Sequence, residues 1–360
     1  MTQRYSFVLC NYVMPRFIRT NESSCNCSYV RDDILLSSWR NLTFVDFKLR
    51  NKYMVGRHIW FNSTLWSDEK LFKVNESSLS FLKYLTKSND HTPRSSGCED
   101  FRFVRWSGKL YAFYSKIVVP FTRYVEHFCE IDESLSICND RAIQTKQKIE
   151  KNWQPIVCRP FECVYSYKPF VLVNVRTNVF TPINNEFDLN YRGSTAVIEY
   201  KDVNICLVHS RNETADYHYY THYFVVYDKF MRVKKITKPF SFLGADIEFT
   251  TYMEFKNGRL VILACVNDQL TYEFNIDTDT LDFILNDGLD NNSISKDLYD
   301  MLYKDAKDNN NIPTAICLGT YSMNKDIIAD AVQINYASGL SFENKKLLQT
   351  MLIDKYHSLK

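Results

Sequence analysis

The feature that most constrains the fold is a succession of short aromatic and β-branched runs that extends from Phe101 to Asp277. Roughly ten such runs follow one another at intervals of about 8 to 20 residues, and turn residues such as Lys256-Asn257-Gly258 separate them. Little helical pattern lies between the runs, and no exact sequence repeat is visible. We therefore expect an all-β protein whose short strands close into a barrel or repeat around an axis.

The composition agrees with a mostly β protein. The 360 residues include 24 tyrosines and 25 phenylalanines but only 9 glycines and 9 prolines, and aromatic residues favour strands over helices. Apolar residues make up 45% of the chain, which is enough to bury a large core, and at this length one core or two are possible. Charged residues amount to 24% with a net charge of +2, so the charge balance does not indicate a nucleic-acid-binding protein.

We divide the chain into three regions. Residues 1–50 mix short apolar runs with a polar stretch, and we expect them to belong to the β body or to pack on it. Residues 51–290 carry the strand series and form the expected β domain. Beyond them, apolar residues recur at helical spacing in Ser293 to Lys307 and in Glu343 to Leu359. Residues 291–360 are therefore predicted to form a C-terminal helical extension that flanks the β body.

The cysteine pattern favours a reducing compartment. The 11 cysteines are odd in number and never fall in paired Cys-x-x-Cys spacing, so we expect free thiols in the cytoplasm, with no metal or cofactor. No apolar run approaches the roughly 18 residues of a membrane-spanning helix, and we assign no signal peptide. Asn-x-Ser/Thr triplets are acceptor sequences for N-glycosylation and would instead indicate a secreted glycoprotein. An Asn-rich and Ser-rich chain, however, contains such triplets by chance. Examples begin at Asn21, Asn41, Asn62, Asn75 and Asn212.

One predicted hairpin has charged side chains at its open end, where its first strand begins. A strand from Phe101 to Val104 meets a second strand from Leu110 to Ser115 across a Ser-Gly turn. The alternation of side chains along a strand predicts that Asp100 and Arg102 share one face of the sheet, with Glu99 on the other. By itself this pattern has an ordinary interpretation as a surface ion pair, which contributes little to stability.

Four further stretches resemble the edges of a binding site more than the interior of a strand. They contain a charge pair with an amide, a turn of small residues, histidines in apolar strands, and a carboxylate after a strand. Each also has an ordinary interpretation as a cap, a turn or a satisfied core group. The stretches are Glu150-Lys151-Asn152-Trp153-Gln154-Pro155, Arg192-Gly193-Ser194-Thr195, Leu207-Val208-His209-Ser210 with Tyr220-Thr221-His222-Tyr223, and Val266-Asn267-Asp268.

In order and spacing, these motifs together with Gly-Cys-Glu-Asp-Phe-Arg at 97–102 resemble those of a known group of enzymes. The group is the five-bladed β-propeller glycoside phosphorylases and related β-mannosyltransferases, around glycoside hydrolase family 130. The resemblance covers residues from about 95 to about 280. It implies a five-bladed β-propeller in which side chains from different blades converge on a central channel, namely Asp100, Lys151, His209 and Asp268.

The resemblance also implies roles for individual residues. Asp100 matches the general acid/base that protonates the leaving sugar oxygen. The phosphate-binding positions match Arg102, Lys151, His209, Tyr220 and His222, and the sugar-binding positions match Glu99, Asn152, Ser194 and Asp268. The sequence departs from the family in three places: Phe101 replaces a proline, Ser194 and Ala196 stand in a turn that is usually richer in glycine and proline, and Ile247-Glu248-Phe249 is a loose match.

The chemistry of such a site depends on these residue types. An inverting sugar transfer can use a single protein carboxylic acid when an external nucleophile attacks the opposite face of the sugar. A phosphate dianion needs several cationic or hydrogen-bonding donors around it. Trp106 and Trp153 are of a type that stacks on sugars, but in an aromatic-rich β protein we expect them in the core.

We therefore expect an inverting glycoside phosphorylase or glycosyltransferase. It would move a mannose-like sugar between an acceptor glycan and either phosphate or a phosphorylated donor, which is a sugar phosphate or a nucleotide sugar. The alternative is a propeller without catalytic activity that binds a glycan or a nucleotide sugar. A scaffold for protein partners would leave the charged set of residues unexplained.

Overall fold

The short strands form five separate sheets, and the chain is a five-bladed β-propeller, as the resemblance implied. Two short strands, β1 (Phe7–Val8) and β2 (Pro15–Phe17), precede the blades. The computed structural model describes residues 7–8, 15–17, 39–45, 53–61, 65–74, 79–86, 97–118, 123–143, 145, 147, 149–187, 190–213, 218–242, 248–266, 270–286, 303–304, 307, 315, 319, 324–337, 352–353 and 356–357.

The first three blades each contain four strands in sequence order. Blade I consists of β3 (Trp39–Phe44), β4 (Tyr53–Phe61), β5 (Leu65–Val74) and β6 (Leu79–Thr86). Blade II consists of β7 (Cys98–Trp106), β8 (Lys109–Val118), β9 (Arg123–Ile131) and β10 (Ile137–Ala142). Blade III consists of β11 (Gln154–Pro155), β12 (Glu162–Tyr167), β13 (Phe170–Asn174) and β14 (Val179–Pro182).

The last two blades include the N-terminal strands. Blade IV contains β15 (Arg192–Gly193), β16 (Ile198–Tyr200), β17 (Val203–Glu213), β18 (His218–Tyr227), β19 (Val233–Ile236) and β20 (Phe240–Ser241). Blade V contains β21 (Glu248–Lys256), β22 (Arg259–Val266) and β23 (Leu270–Asp277). Strand β1 pairs in parallel with β20, and β2 pairs antiparallel with β23. The start of the chain thereby adds a strand to each of the last two blades, and the next strand along the chain, β3, begins blade I.

The first strands of the blades lie nearest to the centre of the ring. Strand β7 contacts β3 on one side and β11 on the other, and β21 contacts both β3 and β7. Side chains at the start of β7, β11, β15 and β21 therefore come from blades II, III, IV and V to a common region. This is the geometry that the expected site requires.

The predicted hairpin at the start of blade II is confirmed. Strands β7 and β8 pair antiparallel, and they are joined by Ser107 and Gly108, both with positive φ, at 49° and 84°. The turn between β21 and β22 has the same character, with Asn257 at 51° and Gly258 at 73°. Two successive residues with positive φ match the right-handed twist of the flanking strands, which is why Asn and Gly occur there.

The prediction that Glu99 and Arg102 lie on opposite faces of the sheet is wrong. Glu99 lies opposite Ser115 and Arg102 lies opposite Phe113, so two residues of β7 oppose one residue of β8 between these pairs. Asp100 has a φ of 61° at this bulge. Because the bulge adds one residue, Glu99 and Arg102 lie on the same face of the sheet rather than on opposite faces.

The core fills the seams between the blades, and helices cover one of them. Helix α1 (Thr278–Leu285) follows β23 directly, and the carboxylate of Asp277 caps its first turn by accepting a 2.8 Å hydrogen bond from the Thr280 amide. Helix α2 (Lys325–Ala337) contributes Ile328 and Ala331 to the apolar cluster between blades IV and V. Trp106 and Trp153 are both 1% exposed in the seam between blades II and III, so they belong to the core as expected.

The predicted C-terminal helices are described in part. Residues 303, 304 and 307 of the first segment and residues 352, 353, 356 and 357 of the second are helical. The other positions of both segments lie outside the described residues. Tyr303 and Leu352 are buried against the strands of blades IV and V, so the described part of the extension packs on the propeller. Helix α2 lies within the predicted helical extension of residues 291–360, between the two segments that the sequence pattern singled out.

Candidate functional site

Asp100 lies on the innermost strand of blade II at the bulge. The residue is 5% exposed, and its positive φ is rare for a residue with a Cβ atom. Burial acts to lower the pKa of both Arg102 and Lys151, and the Asp100 carboxylate acts against burial on both, so it lies near both cations. A buried carboxyl group next to two cations, on a strained segment of backbone, is a common arrangement in active sites.

Arg102 connects three blades. Its Nε donates to the Ser194 carbonyl at 2.7 Å, Nη1 donates to the Asp100 carbonyl at 3.0 Å, and Nη2 donates to Asn152 Oδ1 at 3.3 Å and the Gly193 carbonyl at 3.5 Å. Burial lowers the pKa of the guanidinium group, and nearby carboxylates oppose that shift. The guanidinium group is thus held mainly by neutral oxygen atoms, and most of its donors are already engaged.

Lys151 is the more accessible cation of the site. Its Nζ lies 3.2 Å from Glu99 Oε1, and its side chain is 29% exposed, compared with 5% for Glu99. It also lies 5.0 Å from the centre of the Tyr124 ring. Burial lowers the pKa of the ammonium group, but the carboxylates of Glu99 and Asp100 outweigh burial and leave this pKa above its usual value. Lys151 therefore stays positively charged throughout the neutral range.

A close approach of backbones brings blades III and IV together. A Cβ atom on Gly193 would lie 2.2 Å from the carbonyl oxygen of Asn152 and 2.4 Å from Cγ of Gln154, so only glycine fits. Gln154 spans the same seam, because its Nε2 donates to the carbonyls of Thr195 at 2.6 Å and Leu207 at 2.8 Å. The predicted small-residue turn thus serves to pack two blades closely and to aim carbonyl groups at Arg102.

Ser194 and His209 form a buried polar pair. Ser194 Oγ lies 2.8 Å from His209 Nδ1, and the two residues are 0% and 1% exposed. Burial holds the pKa of His209 well below its usual value, and the positive charges of Arg192, Arg102 and Lys151 act in the same direction. His209 is therefore neutral at physiological pH. It can serve a ligand as a hydrogen-bonding group but not as a cation.

His222 lies beside His209 on the neighbouring strand. The two residues are paired in the ladder between β17 and β18, and their ring centres are 6.4 Å apart. Neither ring nitrogen of His222 has a hydrogen-bond partner among the described residues, and its Nε2 lies 4.0 Å from Glu248 Oε2. Burial lowers the pKa of His222 to about 3. The centre of the Tyr220 ring lies 5.2 Å from that of His209.

The structure brings most of the predicted residues into one region. Arg102 links Asp100 to Asn152, Gly193 and Ser194, and Glu99 joins them through Lys151. His209 is attached through Ser194, with Tyr220 and His222 next to it. Asp268, the remaining candidate, lies outside the described residues. The functional roles of all these residues remain predictions.

Sequence reasoning missed one acidic residue at this site. Glu126 on β9 is fully buried, and Ser115 Oγ donates a 3.0 Å hydrogen bond to its Oε2. The only sequence signal was an acidic residue among the apolar and aromatic residues of positions 124–131, a stretch that was not predicted as a strand, and that pattern does not distinguish an inward from an outward side chain. Glu150, in contrast, has three donors, because it accepts hydrogen bonds from Trp153 Nε1, the Tyr165 hydroxyl and the Thr145 hydroxyl.

Within the described part of the chain, no group of three or more His, Cys, Asp or Glu side chains has the arrangement of a metal site. The same part contains no helix with the length and apolar character needed to cross a membrane. Seven cysteines in this part are free thiols, and five of them are buried, namely Cys98, Cys129, Cys163, Cys206 and Cys265.

Comparison with protein-family models gives no match, and comparison with curated protein sequences gives none either. Solved structures do match. A protein from Parabacteroides distasonis, provisionally named a glycoside hydrolase, aligns with a TM-score of 0.50 at 12% identity over 75% of this chain and 98% of its own. A protein from Bacteroides thetaiotaomicron, provisionally named a glycosidase, aligns with a TM-score of 0.50 at 12% identity over 67% of this chain and 87% of its own.

A third solved structure is a mannose phosphorylase from Leishmania mexicana in complex with phosphate. It aligns with a TM-score of 0.48 at 15% identity over 71% of this chain and 89% of its own. At such identities, the likeness is one of fold. The chain thus has a five-bladed β-propeller fold similar to those of proteins provisionally named glycoside hydrolases, in agreement with the family that its motifs resemble.

Proposed function

We propose that this protein is a carbohydrate-active enzyme that moves a mannose-like sugar between an acceptor glycan and phosphate or a phosphorylated donor. Asp100 acts as the general acid/base in an inverting transfer. The observation that carries the proposal is the convergence of Asp100, Lys151 and the Ser194–His209 pair from three blades around Arg102. The order of the motifs and the similarity of fold support the same class of reaction.

The chemistry of phosphorolysis fits these groups. An oxygen of hydrogen phosphate forms a bond to the anomeric carbon, while the glycosidic bond breaks on the opposite face of the sugar. The leaving oxygen takes the proton of Asp100, and Asp100 regains a proton from the attacking hydrogen phosphate. Lys151 offers the phosphate a permanent positive charge, and neutral His209 offers a hydrogen bond. In the reverse direction, the same groups serve synthesis from a sugar phosphate.

A second candidate is a propeller that binds a neutral glycan without turnover. It is favoured by the engagement of Arg102, whose donors already bind three carbonyl groups and one side-chain amide, so that few remain for phosphate. Phe101 also favours this second candidate, because it occupies a position where the family has proline. Its ring stacks in the core on that of Tyr114, with ring centres 4.6 Å apart. Under this hypothesis Asp100 accepts hydrogen bonds from sugar hydroxyls.

A ligand screen with a turnover assay separates the two candidates. The purified chain would be heated with phosphate, mannose 1-phosphate, GDP-mannose or a neutral β-mannobiose, and the unfolding temperature recorded for each. A ligand at about 100 times its dissociation constant adds about 2.7 kcal/mol of stability, which is easily measured. The enzyme proposal expects stabilisation by phosphate or a phosphorylated donor, together with release of mannose 1-phosphate or a longer glycan. Stabilisation by mannobiose alone, without any product, would favour the binding module.

A further inference from the structure

A row of polar side chains crosses blade II at the level of the candidate site. Glu99 on β7 lies opposite Ser115 on β8, and Ser115 lies opposite Glu126 on β9, so the three side chains share one face of the sheet. Ser115 Oγ donates to Glu126 Oε2 at 3.0 Å, while Glu126 Oε1 is buried and has no hydrogen-bond partner among the described residues. An ionised carboxylate in this position would therefore keep one oxygen atom buried without a donor.

The titratable groups around Glu126 come from three directions. Arg102, Asp100 and Glu99 face it from β7, Glu150 faces it from the segment before β11, and the thiol of Cys163 faces it from β12. Arg102 is the one cation among them, and it makes no ion pair with Glu126 within the described part of the chain because its donors are directed to carbonyl groups and Asn152.

Burial together with two neighbouring acids keeps the proton on Glu126 near neutral pH. Desolvation raises the pKa of Glu126 to about 8, with further increases from Asp100 and Glu150, although Arg102 and Ser115 oppose them. A protonated carboxyl group is also the form that suits the geometry, since it removes an unpaired buried charge. A carboxyl group placed only for stability would be expected to have a donor for each of its oxygen atoms, as Glu150 does.

We propose that Glu126 is a positioning residue that controls the charge of the candidate site and thereby its binding of anions. When Glu126 carries a proton, the site binds an anion next to Lys151, and when Glu126 loses that proton, the anion is released. The inference rests on the proposed function in taking a phosphate-like anion as the ligand. Glu99 already offsets part of the positive charge of Lys151 and Arg102. An ionised Glu126 adds a further negative charge to the same region, which repels a dianion through a medium of low polarity.

Sulfate is the probe that tests this inference, because it remains a dianion across the pH range, whereas phosphate titrates near neutrality. Calorimetric titrations of sulfate would be run at pH 6.5, 7.5, 8.5 and 9.5 on the wild type and on Glu126→Gln, which keeps the shape of a neutral carboxyl group. Lys151 remains charged over this range, so it does not produce the expected change. The matched control is Glu130→Gln, since Glu130 lies on the same strand but forms a surface ion pair with Lys109.

The expected result is that wild type and Glu130→Gln lose sulfate affinity by about tenfold or more between pH 7.5 and 9.5, while Glu126→Gln keeps nearly the same affinity throughout. A purely structural role would lower stability without flattening this profile. If Glu126→Gln lost affinity as steeply as the wild type, the role of Glu126 would be excluded while the anion site remained. If the wild type bound no sulfate at any pH, the anion site would be excluded, and this inference with it.

Discussion

The Nε of Arg102 in blade II donates a 2.7 Å hydrogen bond to the carbonyl oxygen of Ser194 in blade IV. The same guanidinium group reaches Asn152, just before the first strand of blade III, at 3.3 Å. One buried side chain thus ties three blades together at the point where Asp100, Lys151 and His209 meet. The stability of the ring and the geometry of the candidate site therefore depend on the same residue.

Replacement of Arg102 by lysine should destabilise the propeller. A lysine keeps the charge but cannot reach carbonyl groups of two blades at once, and hydrogen bonds from a charged group contribute roughly 1.5 to 3 kcal/mol each. We expect Arg102→Lys to lower the free energy of unfolding by about 2 to 4 kcal/mol, measured by chemical denaturation. Arg105→Lys is the control on the same strand, because Arg105 donates to a carbonyl within its own hairpin, that of Gly108, rather than to another blade. Equal stability of the two variants would contradict the central role of Arg102.

Removal of the proposed general acid should stop turnover without unfolding the protein. Asp100→Asn is expected to lower kcat by roughly 10²- to 10⁴-fold on an unactivated glycoside, since a general acid typically contributes that factor. The unfolding temperature should stay close to that of the wild type. Asp140→Asn is a suitable control, because Asp140 lies on the outermost strand of blade II, away from the candidate site. Its Oδ1 lies 3.1 Å from His127 Nδ1. Near-wild-type turnover by Asp100→Asn would show that another group donates the proton.

Truncation of the accessible cation should weaken binding of phosphorylated ligands selectively. Lys151→Ala is expected to reduce the binding free energy of phosphate and of mannose 1-phosphate by about 1.5 to 3 kcal/mol, the range for a hydrogen bond to a charged group. Affinity for a neutral mannobiose should change little. Calorimetric titration measures all three, with Lys109→Ala as a control, because Lys109 is an exposed lysine paired with Glu130. Unchanged binding of both phosphorylated ligands would argue for the neutral-glycan hypothesis.

The buried acid Glu126 should make stability depend on pH in a defined direction. Its folded-state pKa of about 8 lies above the usual 4.5, so the native state binds the proton more tightly than the unfolded chain. This contribution is complete below pH about 4.5 and is lost as the pH rises to about 8, with an upper bound of about 5 kcal/mol. Glu126→Gln should therefore gain stability relative to the wild type as the pH rises from 5 to 9, in contrast to Glu130→Gln. Denaturation curves at each pH test this, and parallel profiles for wild type and Glu126→Gln would refute it.

The sequence by itself determined the class of the fold. Aromatic and β-branched runs of strand length, separated by turns such as Asn257-Gly258, leave few ways to bury one face of each strand except by stacking short sheets. The order of the motifs indicated a five-bladed propeller and pointed to Asp100, Arg102, Lys151 and His209, which the structure brings close together. Helix α2 lies within the predicted helical extension, but its bounds were not predicted because its apolar pattern is weak and its stability comes from packing against blades IV and V.

Only the tertiary structure decided what these side chains face. The bulge at Asp100 reversed the predicted relation of Glu99 and Arg102, and a bulge depends on how two strands pair rather than on either strand alone. The charge states of His209 and Glu126 follow from burial and from neighbours on other strands, which no local pattern contains. Residue types and their order are properties of the chain, whereas solvation, register and contacts between blades arise only when the ring closes.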